Sequence, residues 1–132
     1  MHNETTIHNV GKKAEEIVKN YFMKQGFSII PRKKADSGYD FMVNDVYIEV
    51  KGSSKNINNI THRFLTDAEH SLFKKNPDKH EIHLVTGIGS KEQRHYILKG
   101  HGLNFTKKIS WFLPKSNIIN KAIEAPKTIN SD

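Results

Sequence analysis

The hydrophobic residues near the start of the chain follow a helical period. Five of them recur at intervals of three and four positions: Ala14, Ile17, Val18, Tyr21 and Phe22. This pattern predicts an amphipathic helix over residues 11–25, followed by Gly26, where a glycine commonly ends a helix. The β-rich residues 27–30 come next, and we expect them to form a strand that Pro31 stops.

A tight hairpin is predicted in the middle of the chain. Residues 39–43 and 46–50 are both rich in residues that favour strands, and Asn44-Asp45 separates them. A two-residue connection of this kind is typical of antiparallel pairing, in which residue 43 lies opposite residue 46. The polar, asparagine-rich residues 52–62 are expected to form a mobile loop.

The second half of the chain predicts another helix and further strands. Thr66 and Glu69 have the spacing of a capping box, so a helix should begin there, run to about Lys75 and end before Pro77. The remaining predicted elements are two strands, an edge strand and a short helix, over residues 81–86, 95–99, 109–113 and 117–124 in that order. The core order α-β-β-β-α-β-β predicts an α/β fold with a mixed central sheet flanked by helices.

Length and composition agree with one globular domain. The chain has 132 residues, of which 36% are hydrophobic and 27% charged, as in ordinary soluble domains. We expect a single domain over residues 10–124, with a flexible N-terminus (1–9) and a flexible tail (125–132). The sequence has no signal-like apolar region, so we expect a cytoplasmic protein. It has no cysteine, which excludes disulfides, thiolate catalysis and cysteine zinc sites.

Net charge adds a candidate partner. The sequence has 21 Lys and Arg against 14 Asp and Glu, for a net charge of +7. Such a surplus favours a polyanionic partner, of which nucleic acid is the commonest.

Three charged residues lie in the otherwise apolar strands of the predicted hairpin. Glu49 and Lys51 are two positions apart, so they project from the same face of one strand, and the hairpin register places Asp40 beside Glu49. Adjacent carboxylates repel unless one is protonated or a cation lies between them, and oxygen-only ligation favours Mg²⁺ or Mn²⁺. With a lysine to position or deprotonate a nucleophile, this set fits phosphodiester hydrolysis. The alternative is a solvated charge ladder on a half-exposed strand.

The first helix supplies a fourth candidate acid. Glu15 lies at the edge of the apolar face, whereas Glu16 points away from it, so Glu15 is the one expected to reach the sheet. His80 and His83 suggest zinc by their spacing, but on a strand they would lie on opposite faces, which argues against a shared metal.

These residues resemble the signature of the PD-(D/E)xK nuclease superfamily, which has the restriction-endonuclease-like fold. The signature stands here as Tyr39-Asp40 and Glu49-Val50-Lys51, with Tyr39 in place of the usual proline. Gly11-Lys12-Lys13-Ala14-Glu15 is similar to the helix-borne acid of archaeal Holliday-junction resolvases. A closer resemblance is to the C-terminal nuclease-like domain of protein NO VEIN, carried by Gly38-Tyr39-Asp40, Tyr47-Ile48-Glu49-Val50-Lys51-Gly52 and Phe64-Leu65-Thr66-x-x-Glu69.

The resemblance covers about residues 11–90 and implies a restriction-endonuclease-like α-β-β-β-α-β core with a divalent-metal nuclease site. In that interpretation Asp40 and Glu49 hold Mg²⁺ or Mn²⁺, joined by Glu15 directly or through water. Lys51 then orients or activates the attacking water. Glu69 is expected to cap its helix, with a position facing the cleft as the alternative.

Basic residues on either side of the motif are the predicted nucleic-acid contacts. They are Arg32, Lys33 and Lys34 before Asp40, and Ser53 and Lys55 after Lys51. The expected function is that of a metal-dependent endonuclease hydrolysing DNA, with branched or junction DNA and a defence or repair role among the options. Junction cleavage would require two active sites and hence a homodimer. The alternatives are an inactive nucleic-acid-binding module that retains the fold, and a structural or interaction domain; RNA stays open as a substrate.

Overall fold

The computed structural model describes residues 4–60, 62–107 and 111–126. Its helices and strands are, in chain order, α1 (Glu4–Lys24), β1 (Ile30–Pro31), β2 (Phe41–Val43), β3 (Val46–Gly52), β4 (His62–Leu65), α2 (Asp67–Lys75), β5 (His80–Thr86), β6 (Arg94–Lys99), β7 (Thr106–Lys107), β8 (Trp111–Pro114), α3 (Lys115–Lys121) and β9 (Ile123–Glu124).

The strands form two sheets. The larger has the order β1-β2-β3-β5-β6-β9, and the smaller has the order β4-β8-β7. Within the described residues β3 and β5 form the one parallel pair, and α2 lies between them in the chain. The predicted α/β fold with a mixed sheet and flanking helices is therefore confirmed; the predicted order also holds through β3 and from α2 to β6, but β4, between β3 and α2, was not predicted.

The hairpin between β2 and β3 forms as predicted. Val43 lies opposite Val46, and Asn44 and Asp45 have φ angles of 51° and 67°. These left-handed conformations characterise the two-residue turn whose twist matches that of the flanking strands. The turn therefore fixes the register that the site depends on.

Strand β3 has different neighbours along its length. It pairs with β5 from Tyr47 to Gly52, whereas its pairing with β2 ends at Ile48. The last four residues of β3 therefore have no paired strand on the β2 side. At this opening, side chains that lie on opposite faces of the large sheet can approach one another.

Two hydrophobic clusters cover the two faces of the large sheet. On one face α1 packs against the strands through residues that include Ala14, Val18, Phe22, Ile48 and Val85. On the other face α2 and α3 contribute Phe73 and Ile118, which pack with Ile82 and Leu84 of β5. Because side chains alternate along a strand, Glu49 and Lys51 lie on the α2 face, opposite the neighbouring Ile48.

The first two predicted elements differ from those observed. Helix α1 begins at Glu4, so residues 4–9 are helical, whereas a loose N-terminus was predicted; Gly11 does not mark the start of the helix. The strand predicted at residues 27–30 is wrong in extent, because only Ile30–Pro31 pairs with β2. Pro31 is tolerated there because β1 lies at the sheet edge, where the missing N–H costs no ladder bond.

Differences also occur toward the C-terminus. The predicted edge strand at 109–113 is instead β8, which lies between β4 and β7 in the small sheet; residues 109 and 110 fall outside the described chain. The predicted helix at 117–124 is α3, which begins and ends earlier and is followed by β9. The 52–62 loop contains a 3₁₀ turn at Ile57–Asn59, and Ile60 is buried. The prediction for the tail falls mostly outside the described residues.

Candidate functional site

Asp40 lies at the opening beside β3. Its backbone N–H donates to the Ile48 carbonyl at 2.8 Å, and its carboxylate accepts a hydrogen bond from the Val50 N–H at 2.7 Å. The side chain thus takes the place of the backbone partner that β2 no longer provides to Val50. Asp40 is thus bonded to Ile48 and Val50, the two neighbours of Glu49 in β3.

The loop before Asp40 is pressed against the first turn of α2. Gly38 has φ of 95°, and a Cβ at this position would lie 2.7 Å from the Ala68 carbonyl oxygen. Glycine is therefore required both by the backbone conformation and by the close approach. Tyr39 is buried beside it and donates a hydrogen bond to the Asp36 carboxylate at 2.9 Å. These contacts fix where the Asp40 strand begins.

Glu49, Lys51 and Glu69 form one charged cluster on the α2 face. The Lys51 ammonium lies 3.0 Å from a Glu49 carboxylate oxygen and 3.2 Å and 3.4 Å from the two oxygens of Glu69. The Glu49 side chain is only 4% exposed, against 12% for Glu69 and 21% for Lys51. The lysine is therefore closer to solvent than the two acids that it contacts.

Glu69 also completes the predicted capping box of α2. Thr66 accepts from the Glu69 N–H at 3.1 Å, and the Glu69 carboxylate accepts from the Thr66 N–H at 3.0 Å. The capping prediction is confirmed, and the same side chain also faces the cleft. The sequence treated these as alternatives, although a single carboxylate has enough lone pairs for both contacts.

The acids of the cluster do not titrate alike. Burial, followed by a hydrogen bond to Glu69, raises the pKa of Glu49 well above its usual range. Burial would raise the pKa of Glu69 too, but hydrogen bonding from Glu49 and the charge of Lys51 outweigh it and lower the pKa. The two carboxyl groups are therefore shifted in opposite directions. Burial also raises the pKa of the nearby Asp40.

The lysine remains charged within this cluster. Burial alone would lower its pKa, but the negative charges of Glu49 and Glu69 outweigh burial and raise it above the usual value. Lys51 is therefore an ammonium at neutral pH, and it can donate hydrogen bonds to water or to a phosphate oxygen.

Glu15 approaches this site from the α1 face. It is half-buried and forms an ion pair with Lys19 at 3.4 Å, and its charge contributes to the raised pKa of Asp40. Glu16 is exposed. The close approach of α1 depends on Gly52, where a Cβ would lie 2.7 Å from that of Ala14.

The chain matches the family model described as protein NO VEIN, C-terminal, over residues 10–97, which is 88 of its 132 residues. It belongs to the NO VEIN C-terminal family. Searches of curated proteins and of solved structures find no match. The family segment contains all five charged residues of the site, Glu15, Asp40, Glu49, Lys51 and Glu69, whereas β7, β8, α3 and β9 lie beyond it.

The acidic side chains of this site form an oxygen-only donor set. In the described residues, no three His, Cys, Asp or Glu side chains converge into a formed metal cage. The Lys51 ammonium lies between the carboxyl groups of Glu49 and Glu69. The surplus of carboxylates over lysine nevertheless matches the charge and the oxygen preference of a hard divalent cation.

The predicted basic contacts differ in their surroundings. Lys33, Lys34 and Lys55 are exposed, as is Arg32, whose guanidinium donates to the Asp36 carbonyl. Ser53 is buried: its hydroxyl accepts from the Lys55 N–H at 3.1 Å, and its backbone bonds Val85 and Ile88. Ser53 therefore joins the ends of β3 and β5, and its assignment as a phosphate contact stays a prediction.

The histidines form no zinc site among the described residues. His80 stacks on Phe73 at a ring separation of 3.5 Å, on the α2 face. His83 lies on the other face, where its ring nitrogens are 2.8 Å from His95 and 2.9 Å from Glu81. The prediction that His80 and His83 face opposite ways is confirmed. Separately, no helix in the described ranges has the length and hydrophobicity needed to cross a membrane.

Proposed function

We propose that this member of the NO VEIN C-terminal family is a metal-dependent endonuclease that hydrolyses phosphodiester bonds in DNA. One observation carries the proposal: at the opening of β3 the Asp40 carboxylate accepts from the Val50 N–H, and the carboxylate of the neighbouring Glu49 lies 3.0 Å from the Lys51 ammonium. Buried acids with raised pKa values next to a lysine are a costly arrangement for a strand interior. Such groups commonly mark a functional site.

The acids fit a divalent cation. Asp40 and Glu49 would hold Mg²⁺ or Mn²⁺, with Glu15 joining directly or through water. The positive charge of the ion would offset the repulsion between the adjacent carboxylates. When bound, such an ion supplies water activation and charge stabilisation at a phosphoryl oxygen.

The chain's own residues supply the remaining tasks. Lys51 is the most exposed member of its cluster, so its ammonium is available to orient a water molecule or to donate to a phosphate oxygen. Arg32, Lys33, Lys34 and Lys55 are exposed on segments that flank the motif. Contacts from these side chains to phosphates would position a strand without reading its sequence.

A panel of nucleic-acid substrates tests which form of nucleic acid the protein cleaves. Purified protein is incubated in Mg²⁺ or Mn²⁺ with junction, flap, duplex and single-stranded DNA, and with RNA, while its oligomeric state is measured beside it. We expect cleavage of DNA, and a preference for junctions would be accompanied by a homodimer because two strands must be cut. Cleavage of RNA alone would replace the DNA assignment. The DNA structure that is cleaved best would then indicate a role in defence or in repair.

An inactive nucleic-acid-binding module is the second candidate. The ammonium of Lys51 within 3.2 Å of both Glu49 and Glu69 favours it, because a lysine can neutralise acids in place of a metal. Titration of Mn²⁺ into the wild type and Asp40→Ala separates the two. Binding that depends on Asp40 supports the enzyme, and DNA binding without any metal binding supports the module.

A further inference from the structure

Glu69 makes two kinds of contact with one carboxylate. Its Oε1 accepts from the Thr66 N–H at 3.0 Å and from the Lys51 ammonium at 3.2 Å. The first contact completes the helix cap, and the second reaches across to β3. The orientation required by the cap is therefore also the one that meets the lysine.

Capping alone does not explain why position 69 has a charged side chain that is largely shielded from solvent. A glutamine serves equally well at the third position of a capping box, and the cap needs only one acceptor oxygen. The Glu69 side chain is nevertheless charged and only 12% exposed, which is costly unless a cation offsets it. Lys51 is that cation, so the charge and the burial are explained by the lysine.

The lysine in turn needs an anchor outside its own strand. Its long side chain has several rotatable bonds, and Glu49, two residues earlier on β3, holds the ammonium from one side at 3.0 Å. Glu69 holds it from a second element, α2. The same turn of α2 supports the loop before Asp40 through the close approach of Gly38 to Ala68. The first turn of α2 thus contacts both the loop before Asp40 and the Lys51 side chain of β3, and it sets the spacing between them.

We propose that Glu69 is a positioning residue that anchors the Lys51 ammonium over Glu49 and keeps it at a fixed distance from Asp40. The proposal rests on the nuclease function proposed above. Glu69 acts through Lys51 and does not itself touch the substrate or the metal. Removal of its charge leaves the ammonium with one anchor and several rotamers.

The test compares two substitutions that separate the anchor from the cap. Glu69→Gln keeps the volume and an acceptor for the Thr66 N–H but removes the charge that holds Lys51. Thr66→Ala removes the other hydrogen bond of the cap and leaves the Glu69 carboxylate in place. Both are compared with the wild type for DNA cleavage, Mn²⁺ affinity and thermal unfolding.

We expect Glu69→Gln to lower kcat roughly 10- to 100-fold, because displacement of a catalytic group such as the Lys51 ammonium slows the reaction by about this factor. KM and the Mn²⁺ affinity should stay within about twofold of the wild-type values. Thr66→Ala should lower the unfolding temperature and keep kcat. An unchanged kcat in Glu69→Gln, or an equal loss in Thr66→Ala, would overturn the proposal. Weaker Mn²⁺ binding in Glu69→Gln would also overturn it, because Glu69 would then be a ligand.

A second readout does not depend on cleavage. The side-chain ¹⁵N signal of Lys51, assigned by its loss in Lys51→Arg, reports how well the ammonium protons are protected from exchange with water. We expect protection in the wild type and in Thr66→Ala, and its loss in Glu69→Gln. Protection retained in Glu69→Gln contradicts the anchor. A wild type without cleavage activity but with this pattern would contradict the nuclease function and leave the anchor supported.

Discussion

The Asp40 carboxylate accepts a hydrogen bond from the backbone N–H of Val50 at 2.7 Å, at the point where β3 loses its pairing with β2. A side chain of the site therefore also completes the backbone hydrogen bonding of the central strand. Asp40 therefore stabilises the opening as well as having the chemical role proposed for it. Substitutions that keep or remove the acceptor oxygen can separate these two roles.

Asp40→Asn and Asp40→Ala should differ in stability. Asparagine retains an acceptor for the Val50 N–H, whereas alanine leaves that group unpaired in a partly buried position. We expect the alanine variant to be less stable than the asparagine variant by about 1–2 kcal/mol in urea unfolding. Equal free energies of unfolding would mean that water replaces the side chain without cost.

Gly52 controls how closely α1 approaches the sheet. A Cβ at this position would lie 2.7 Å from the Ala14 Cβ, so Gly52→Ala should lower the free energy of unfolding by about 1–3 kcal/mol through overpacking. Gly11→Ala is the matched control, because a Cβ there meets nothing within 4 Å. In the interior of α1 this control should stabilise by about 0.5–1 kcal/mol.

A double variant checks the cause of that effect. Ala14→Gly removes the atom that the new Cβ of Gly52→Ala would meet, so it should recover part of the lost stability after its own helix cost. Independent, additive effects of the two substitutions in chemical unfolding would show that the contact is not the reason.

Acid should destabilise the fold through buried neutral histidines. Burial lowers the pKa of His80 to about 4 and that of His95 to about 3, against 6.5 for a free histidine. Between pH 6.5 and about 4 the unfolded chain binds protons that the folded chain does not. Each histidine therefore lowers the free energy of unfolding by up to about 1.4 kcal/mol per pH unit in this window.

A substitution isolates the part due to His80. His80→Phe keeps a ring stacked on Phe73 and removes the titrating group, so its free energy of unfolding should fall less steeply below pH 6.5 than that of the wild type. Identical slopes for wild type and His80→Phe would contradict burial of a neutral ring.

The basic residues before Asp40 should contribute to DNA affinity through charge. Lys33 and Lys34 are exposed near the site, whereas Lys74 and Lys75 are exposed at the far end of α2. We expect the double substitution of Lys33 and Lys34 by glutamine to weaken duplex binding and to reduce the salt dependence by up to about two phosphate contacts. The same change at Lys74 and Lys75 should have less effect in a binding titration at several salt concentrations. Equal effects would place the DNA elsewhere.

The parts of the fold that depend on neighbours in sequence could be predicted. The Asn44-Asp45 turn sets the register that brings Asp40 to the strand positions flanking Glu49, and the helical period separates Glu15 from Glu16. The capping box likewise lies within four residues. In each case the physical cause is contained in a short segment, so the pattern is sufficient.

The parts of the fold that depend on contacts between distant segments could not be predicted from the sequence. Strand β4 pairs with β8, almost fifty residues later, and neither segment alone indicates that partner. The end of the β2–β3 pairing at Ile48 depends on a side chain, Asp40, that takes over a backbone hydrogen bond. The contact of Glu69 with Lys51 likewise requires α2 to pack against β3, so the sequence revealed its cap but not its link to the site.

Cleavage of DNA by the wild type and by Asp40→Asn is the most direct test of the central claim. Asparagine keeps the hydrogen bond acceptor for Val50 and removes the negative charge, so a loss of activity can be assigned to the site once unfolding confirms the fold. We predict Mn²⁺-dependent cleavage by the wild type and a loss of about 100-fold or more in Asp40→Asn, as expected when transition-state charge stabilisation is removed. Equal cleavage by the two proteins, or no cleavage by the wild type on any substrate of the panel, would contradict the claim.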